Sequence, residues 1–233
     1  MPTSQTSPKA SRKVPRKSTQ KATGVARCLA EIRRMIATGE LLPGQKVHQA
    51  ELAAQLDMSR IPVREALSTL QAEGVLVHKP NTGFTVGRFS SEDLSEIYLM
   101  RRLLETEIIR SIDLATVDAD ELDRLDGCLD ALSPADEPDA YQSANLDFHF
   151  RLFEYSALTL VRQEVSRLWY MSSFYRSLYL DQETATLQVH DAHQRIIQAV
   201  RDQDVDALIA ASDAHRAATE ELVIRRLGRS RPR

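Results

Sequence analysis

The sequence predicts a mainly α-helical protein of two domains: an N-terminal winged helix-turn-helix of three helices plus a β-hairpin, then an all-α helical bundle. Three observations support this fold class. The chain has 233 residues, which suits two domains of ordinary size. Apolar residues recur at helical spacing through most of its length. Strand-like runs occur only between residues 75 and 86.

The first domain is predicted over residues 23–88. Its helices are expected at residues 25–39, 49–56 and 61–73, and the two strands of its hairpin at 75–78 and 84–86. Ser59 suits the N-cap of the third helix, Pro62 is tolerated in the first turn, and Gly74 ends the helix. Three helices followed by a hairpin is the element order of a winged helix.

Charge is distributed unevenly along the chain. Residues 1–88 contain 14 Lys and Arg against 6 Asp and Glu, a net charge of +8, whereas residues 89–233 contain 16 against 27, a net charge of −11. A basic domain suits a polyanion, because binding then releases condensed counterions. Charge alone leaves nucleic-acid binding open, since the two halves of a protein can differ by chance.

The two ends of the chain are expected to lie outside the folded domains. Residues 1–22 are predicted to form a disordered basic arm, either a solvated tail or a weak, non-specific DNA contact, and residues 228–233 a tail. No secretory signal is recognisable, and no apolar run reaches the roughly 20 residues that span a bilayer. Cys28 and Cys128 lack metal or redox spacing. We therefore expect a cytoplasmic protein with no membrane partner.

Residues 50–67 carry the prediction of DNA binding. Small Ala53 lets the second helix pack closely against the third, and a short turn at Asp57 separates them. Arg60 and Arg64 stand one turn apart on the exposed face at the start of the third helix. A recognition helix reads base edges with its N-terminal residues, and an arginine there can donate two hydrogen bonds to guanine. Either arginine alone would be an ordinary surface side chain, but together they indicate a duplex-reading helix.

The same stretch closely resembles the GntR family of regulators over about residues 25–88. The matching positions are Ile32-Arg33, Gly39-Glu40-Leu41, Pro43-Gly44, Leu52-Ala53, Ser59-Arg60, Pro62-Val63-Arg64-Glu65-Ala66-Leu67, Glu73-Gly74 and Gly83. The resemblance implies contacts to double-stranded DNA from the following side chains, with the wing near the minor groove: Arg33, Ser59, Arg60, Arg64 and, at the wing, Gly83.

Two positions depart from the GntR pattern. Ile61 stands where the family usually has Thr, so we expect an apolar DNA contact there, for instance with a thymine methyl group. Asp57 stands at the usual Gly of the turn, which costs strain if its backbone is left-handed. Neither departure removes the arginines.

Residues 89–227 are predicted to form six or seven helices. Helical periodicity covers residues 90–115, 118–132, 139–157, 161–180, 184–202 and 204–227. Asn145 and His149 share one helix face, and His193 and His215 belong to what should be neighbouring antiparallel helices. Spacing leaves open whether these are ordinary histidines or ligands of a divalent ion such as Zn²⁺ or Ni²⁺.

This second half resembles the helical effector domain called FCD, found in one GntR subfamily. The matching positions are Tyr98, Arg101, Leu104-Glu105, Asn145, Phe148-His149, His193, Ile196, Ala199 and His215. The resemblance implies a divalent metal with a small carboxylate effector, and the metal ligands are Asn145, His149, His193 and His215. Asn145 stands where Asp is commoner, and a neutral amide attracts a cation less than a carboxylate does.

The same resemblance implies that Arg101 faces the cavity and pairs with the effector. The alternative is a salt bridge from Arg101 to Glu105, one turn further along the same helix. Sequence leaves the two open.

These features predict a ligand-responsive transcription regulator, by default a repressor, that binds a pseudo-palindromic operator as a homodimer. Two other classes stay open: an architectural DNA-binding dimer with no effector, and an enzyme with a metal in the bundle. The chain contains no Glu-x-x-His pair, His-Glu-x-x-His, Gly-x-Ser-x-Gly or phosphate loop. We therefore expect that it is not an enzyme.

Overall fold

A computed structural model of the chain describes residues 16–80, 82–131, 138–179 and 184–229. These residues form helices α1 (Arg16–Ala37), α2 (Gln49–Gln55), α3 (Arg60–Ala72), α4 (Ser91–Arg110), α5 (Ala119–Ala131), α6 (Pro138–Glu154), α7 (Thr159–Tyr179), α8 (Thr184–Arg201) and α9 (Val205–Arg229). Strands β1 (Lys46–Val47), β2 (Leu76–Lys79) and β3 (Gly83–Val86) form one small sheet. The predicted fold class is confirmed.

The first and last helices are longer than predicted. Helix α1 starts at Arg16, so residues 16–22, expected to belong to a disordered arm, are helical. Arg, Lys, Gln and Ala are good helix formers, and extending an existing helix avoids the cost of a new nucleus. Helix α9 likewise continues to Arg229, into the predicted tail. Residues 1–15 and 230–233 lie outside the described residues.

The hairpin prediction is confirmed, and the structure adds a strand that sequence reasoning missed. Strand β2 pairs antiparallel with β3, from Leu76 opposite Val86 to Lys79 opposite Gly83. Strand β1 pairs with the other edge of β3, so the sheet order is β1-β3-β2. A strand of two residues is too short for an alternating pattern to reveal it.

The helical bundle begins at a capping box. The Ser90 hydroxyl accepts a hydrogen bond from the Asp93 N–H at 3.1 Å, and the Asp93 carboxylate accepts one from the Ser90 N–H at 2.8 Å. Helix α4 packs against α7 and α9, and α8 packs along α9. The bundle core surrounds Phe148 and Trp169, which are almost fully buried. Within the described ranges, no helix combines the length and hydropathy that a bilayer crossing requires.

The bundle and the N-terminal domain share one hydrophobic core. Leu94 of α4, Leu168 of α7 and Val223 of α9 are buried in the same cluster as the core residues of the first domain. The segment between the domains is fixed by Tyr175 of α7, whose hydroxyl accepts the Phe89 N–H at 2.7 Å and donates to the Phe89 carbonyl at 3.2 Å. The two domains are therefore packed together and are not merely tethered.

Candidate functional site

The start of α3 is an exposed surface that presents two cations. Ser59, Arg60, Ile61 and Arg64 are all exposed, whereas the opposite face of the helix is buried in the core. Neither arginine forms an ion pair with a described residue. Ser59 is the N-cap, as predicted, but its hydroxyl accepts no hydrogen bond from the helix, so it stays available to an anion.

The turn between α2 and α3 contains the predicted strain. Asp57 has a φ of 50°, in the left-handed region that favours glycine. The turn is held by the Met58 N–H, which donates to the Ala53 carbonyl at 2.9 Å. The Gln49 side-chain amide also donates to the Arg60 carbonyl at 2.9 Å. These bonds fix the start of α3 relative to α2.

The wing is more basic than sequence reasoning indicated. Gly83, at the start of β3, has a φ of 85°, which explains why glycine is needed at this turn. Exposed Lys46 of β1 and Lys79 of β2 lie on either side of it, and Lys79 pairs with Gly83 in the sheet. Asn81, in the same turn, lies outside the described residues.

Arg33 occupies a different environment from the recognition helix. Its Nη2 donates to both carboxylate oxygens of Glu73, at 2.8 and 2.7 Å, and its guanidinium lies 4.1 Å from the centre of the Tyr170 ring. Only 23% of the Arg33 side chain is exposed. In this arrangement Arg33 joins the two domains, so its predicted DNA contact stays a prediction that requires the ion pair to open. Sequence could not reveal this, because Tyr170 belongs to the other domain.

Three histidines from α6, α8 and α9 meet inside the bundle. The Nε2 atoms of His149 and His193 are 3.1 Å apart, and the ring centres of His149 and His215 are 5.3 Å apart. One ligand atom from each histidine lies within 4.8 Å of the others. Asn145, which is buried, lines the same small cavity as His215.

Burial keeps all three imidazoles neutral. It lowers the pKa of His149 and His193 well below the usual range, and the neighbouring histidines lower them further. Burial, followed by repulsion from Arg101, lowers the pKa of His215 to about 4. Each ring therefore has a nitrogen lone pair at neutral pH, and one nitrogen of each ring lies within 4.8 Å of the other two.

The donor set fits a divalent ion. Two nitrogens on one tetrahedral zinc lie about 3.4 Å apart, given a Zn–N distance of about 2.1 Å. The separation of 3.1 Å between His149 and His193 and the 4.8 Å limit for the whole triad bracket that value. Neutral imidazoles are the ligands that zinc and nickel accept, and Asn145 beside them offers an amide oxygen.

A buried charged network adjoins the triad. Glu105 accepts hydrogen bonds from Arg101 Nε at 2.9 Å, Trp169 Nε1 at 2.8 Å and Arg216 Nε at 3.0 Å. Burial raises the pKa of Glu105, but the charges of Arg101 and Arg216 more than offset burial, so its pKa is lowered and it is ionised. Arg101 thus forms the salt bridge with Glu105 and also lines the cavity, while its contact with an effector stays a prediction.

Two guanidinium groups lie over the Trp169 ring system. Arg101 lies 4.0 Å from the centre of this ring system and Arg176 lies 4.2 Å from it. Sequence reasoning missed Trp169, Arg176 and Arg216 as site residues. Two signals could have found them: Arg176 follows Trp169 by two helical turns on one helix face, and Arg216 directly follows His215.

An exposed helix start after a tight turn, a basic wing and a polar pocket in an attached bundle define a DNA-binding protein with a ligand-binding domain. Residues 25–86 match the family described as "Bacterial regulatory proteins, gntR family", and residues 96–218 match the FCD domain. The chain belongs to the GntR family and carries an FCD domain. It is a ligand-responsive DNA-binding transcription regulator.

Several known proteins are similar along most of the chain. The Nta operon transcriptional regulator of Aminobacter aminovorans is 31% identical over 74% of this chain and 81% of its own length. The gluconate operon transcriptional repressor of Bacillus licheniformis is 24% identical over 84% of this chain and 83% of its own. The solved structure of E. coli McbR/YncC superposes with a TM-score of 0.73 over 88% of this chain and 97% of that one, at 22% identity, which shows a shared fold.

Proposed function

We propose that the protein is a homodimeric repressor that leaves its operator when a small organic acid binds beside a divalent metal in the histidine pocket. The observation that carries the proposal is the close approach of three neutral imidazoles, two buried and that of His215 half-buried, next to Arg101. The gluconate operon repressor, a relative along most of the chain, supports the sign of regulation.

The metal would be zinc or nickel, and its ligands would be Asn145, His149, His193 and His215. The bound ion would supply a Lewis-acidic centre that accepts a carboxylate oxygen. The pocket itself has little access to solvent, since His149 and His193 are buried. Attraction between the ion and a carboxylate is strong in such a setting.

The effector's carboxylate would meet Arg101. Arg101 shares the Glu105 carboxylate with Arg216, and its Nη1 is buried with no hydrogen-bond partner among the described residues. A buried guanidinium nitrogen without an acceptor is costly, and a carboxylate would satisfy it. Space for the body of the acid lies between α8 and α9, where a cavity of about 270 Å³ opens to solvent and reaches His215.

Dimerisation would use the outer face of α4. Leu99, Met100 and Leu103 are exposed there by 47%, 38% and 55%. Large apolar side chains grouped on one helix face favour burial against a second copy, and a two-fold axis through this face would let the patch contact itself. Such a dimer presents two copies of α3 to a pseudo-palindromic operator.

On DNA, each part of the first domain would have its own contact. Arg60 and Arg64 would read base edges, Ser59 would bind a phosphate, and Ile61 would touch an apolar base edge. The wing at Gly83, with its two lysines, would follow the minor groove. A protein that binds the chromosome in this way acts in the cytoplasm of a bacterium.

Helix α7 would couple the two sites. Trp169 and Arg176 line the bundle side of this helix, while Tyr170 and Tyr175 hold the N-terminal domain. An effector that prefers one position of α7 would change the placement of the recognition helices, and DNA affinity would change by the same coupling factor.

The DNA-reading role is tested with Arg60→Ala and Arg64→Ala on an operator found by genome-wide mapping, at fixed salt. Each variant should bind about 10- to 100-fold more weakly, because a bidentate base contact is worth about 1–3 kcal/mol. Arg225→Ala removes an exposed cation from α9 and should bind normally. Unchanged affinity in both recognition-helix variants would remove these side chains from the interface.

The effector role is tested by metal analysis and thermal shift. The purified protein should contain about one zinc or nickel per chain, the ratio a single histidine site predicts, and His193→Ala should contain none. A panel of organic acids should raise the melting temperature only in the metal-loaded protein. A metal-free protein that responds to no acid would favour the architectural dimer.

A further inference from the structure

A second cavity lies between the two domains, apart from the histidine pocket. It measures about 320 Å³ and is bounded by α1 on one side and by α6 and α7 on the other. Its walls are mostly apolar, with Ala26 and Ala30 on α1 and Leu146 on α6. Pockets of this size are at the lower end of the range that holds small organic ligands.

Aromatic and cationic groups both line this cavity. Tyr170 and Trp169 of α7 contribute ring surface, and guanidinium groups come from Arg33 of α1, which lies over the Tyr170 ring, and from Arg176 of α7. Arg33 binds Glu73 through Nη2, and its Nη1 forms no hydrogen bond with a described residue. A guanidinium nitrogen without an acceptor, on a residue that lines an apolar cavity, is a site for an acceptor that a ligand can supply.

We propose that this interdomain cavity binds a small aryl carboxylate, with the ring against the apolar wall and the carboxylate at Arg33. The positive charge of the lining suits a carboxylate, since Arg33 and Arg176 both line the cavity. Glu73 occupies only Nη2 of Arg33 among the described residues, so another nitrogen of that guanidinium remains for the ligand. An aromatic ring suits the lining, because Ala26 and Ala30 have small side chains and Tyr170 offers an aromatic surface. The site needs no metal, and it shares only Trp169 and Arg176 with the lining of the cavity beside His215.

A ligand here would contact both domains at once. Arg33 belongs to α1, whereas Tyr170 and Leu146 belong to the bundle. Binding would therefore hold the first domain in its packed position and keep Arg33 away from any DNA. The regulator would then respond to two acids through two pockets.

Trp169 makes binding directly measurable. It is the chain's one tryptophan and it lines the cavity. The probe is 3-phenylpropionate, titrated into the full chain in EDTA, with excitation of the indole alone. We expect saturable quenching, and we expect the uncharged 3-phenylpropanamide to bind at least about tenfold more weakly, a difference of about 1.4 kcal/mol for the lost charge.

Two variants that fill this cavity distinguish binding here from binding in the histidine pocket. Ala30→Phe occupies the floor and should weaken 3-phenylpropionate binding by at least about tenfold, and Ala26→Leu is the smaller second variant. Ala210→Phe makes the same change at an exposed position of α9 and should bind like the wild type. Equal binding by the filled and control variants, equal binding of acid and amide, or no quenching at about 10 mM, where a Kd near 1 mM would saturate, would each overturn the proposal.

The test is independent of the proposed function. Removal of metal by EDTA abolishes the metal-dependent response in the histidine pocket but should leave this site intact. Quenching that needs zinc would assign the ligand to the histidine pocket instead.

Discussion

The guanidinium of Arg33 lies 4.1 Å from the centre of the Tyr170 ring, so a cation of the first helix is stacked on the helix that also lines the histidine pocket. The same guanidinium pairs with Glu73, at the end of the recognition helix. Arg167 of α7 adds a hydrogen bond to the Glu73 carbonyl at 3.2 Å. The end of α3 is thereby connected to α7 through both side chain and backbone.

Removing the Tyr170 ring should loosen this connection. Tyr170→Ala is expected to lower the free energy of unfolding by about 1–3 kcal/mol, because packing and a cation–π contact are lost together. Tyr170→Phe keeps the ring and should stay close to the wild type in urea denaturation. If the Phe variant were as unstable as the Ala variant, the hydroxyl and not the ring would hold the junction.

The metal-free protein should lose stability in mild acid. The folded chain holds the pKa of His215 at about 4, whereas the unfolded value is 6.5. Between these values the unfolded chain binds a proton at His215 and the folded chain does not. The contribution of neutral His215 to the free energy of unfolding is therefore complete above pH 6.5 and is lost as the pH falls to about 4.

The measurement for His215 is urea denaturation in EDTA across that pH range. His215→Asn should show a shallower dependence on pH than the wild type. His78→Asn replaces an exposed histidine on β2 and should leave the dependence unchanged. Equal slopes for the wild type and the His215 variant would contradict a lowered pKa of His215 in the folded chain.

Neutralising Glu105 should be severely destabilising. Glu105→Gln would leave Arg101 buried without a counter-charge and Arg216 paired only with the partly exposed Asp213, and an uncompensated buried charge costs about 3–5 kcal/mol. Glu107→Gln is the matched control, because Glu107 forms an exposed pair with Arg110 on the same helix and should matter little. Chemical denaturation of both variants checks this, and similar midpoints would show that the buried network adds little.

The outer face of α4 should decide the oligomeric state. Leu103→Glu places a charge in the middle of the exposed apolar patch and should shift the protein from dimer to monomer. Leu160→Glu makes the same change on α7, at a side chain that is 79% exposed, and should remain dimeric. Sedimentation or light scattering distinguishes the two, and a Leu103 variant that stays dimeric would move the interface elsewhere.

Glycine at position 57 should stabilise the turn. Asp57 has a φ of 50°, and a residue without a Cβ adopts this conformation at lower cost. Asp57→Gly is expected to exceed Asp57→Ala in stability by about 1 kcal/mol, measured by thermal denaturation. An Ala variant as stable as the Gly variant would show that the turn is unstrained.

The fold could be predicted closely because its elements are long and regular. The pattern placed α7 at residues 161–180, and the structure has it at Thr159–Tyr179. The helix caps at Ser59 and Ser90 also come from local chemistry, which depends on few neighbours. The short β1 escaped prediction because its pairing with β3 joins residues far apart in the chain.

The pocket was only half predictable. The three histidines were found through the resemblance, and the fold brings them together. The environment of Arg33 could not be foreseen, since Tyr170 stands 137 positions further along the chain. Contacts across a domain junction leave no periodic signal in either segment, so packing alone reveals them.

The two hydrogen bonds between the Tyr175 hydroxyl and the backbone N–H and carbonyl of Phe89 also limit how this regulator can move. A hinge that rotates freely would need those two groups to change partners, and here both are already engaged by one hydroxyl. We therefore expect the N-terminal domain of each protomer to move together with its own bundle as one rigid body. In the proposed dimer, a displacement of α7 would then be carried to the recognition helix without a hinge, and it would change the distance between the two copies of α3 on an operator.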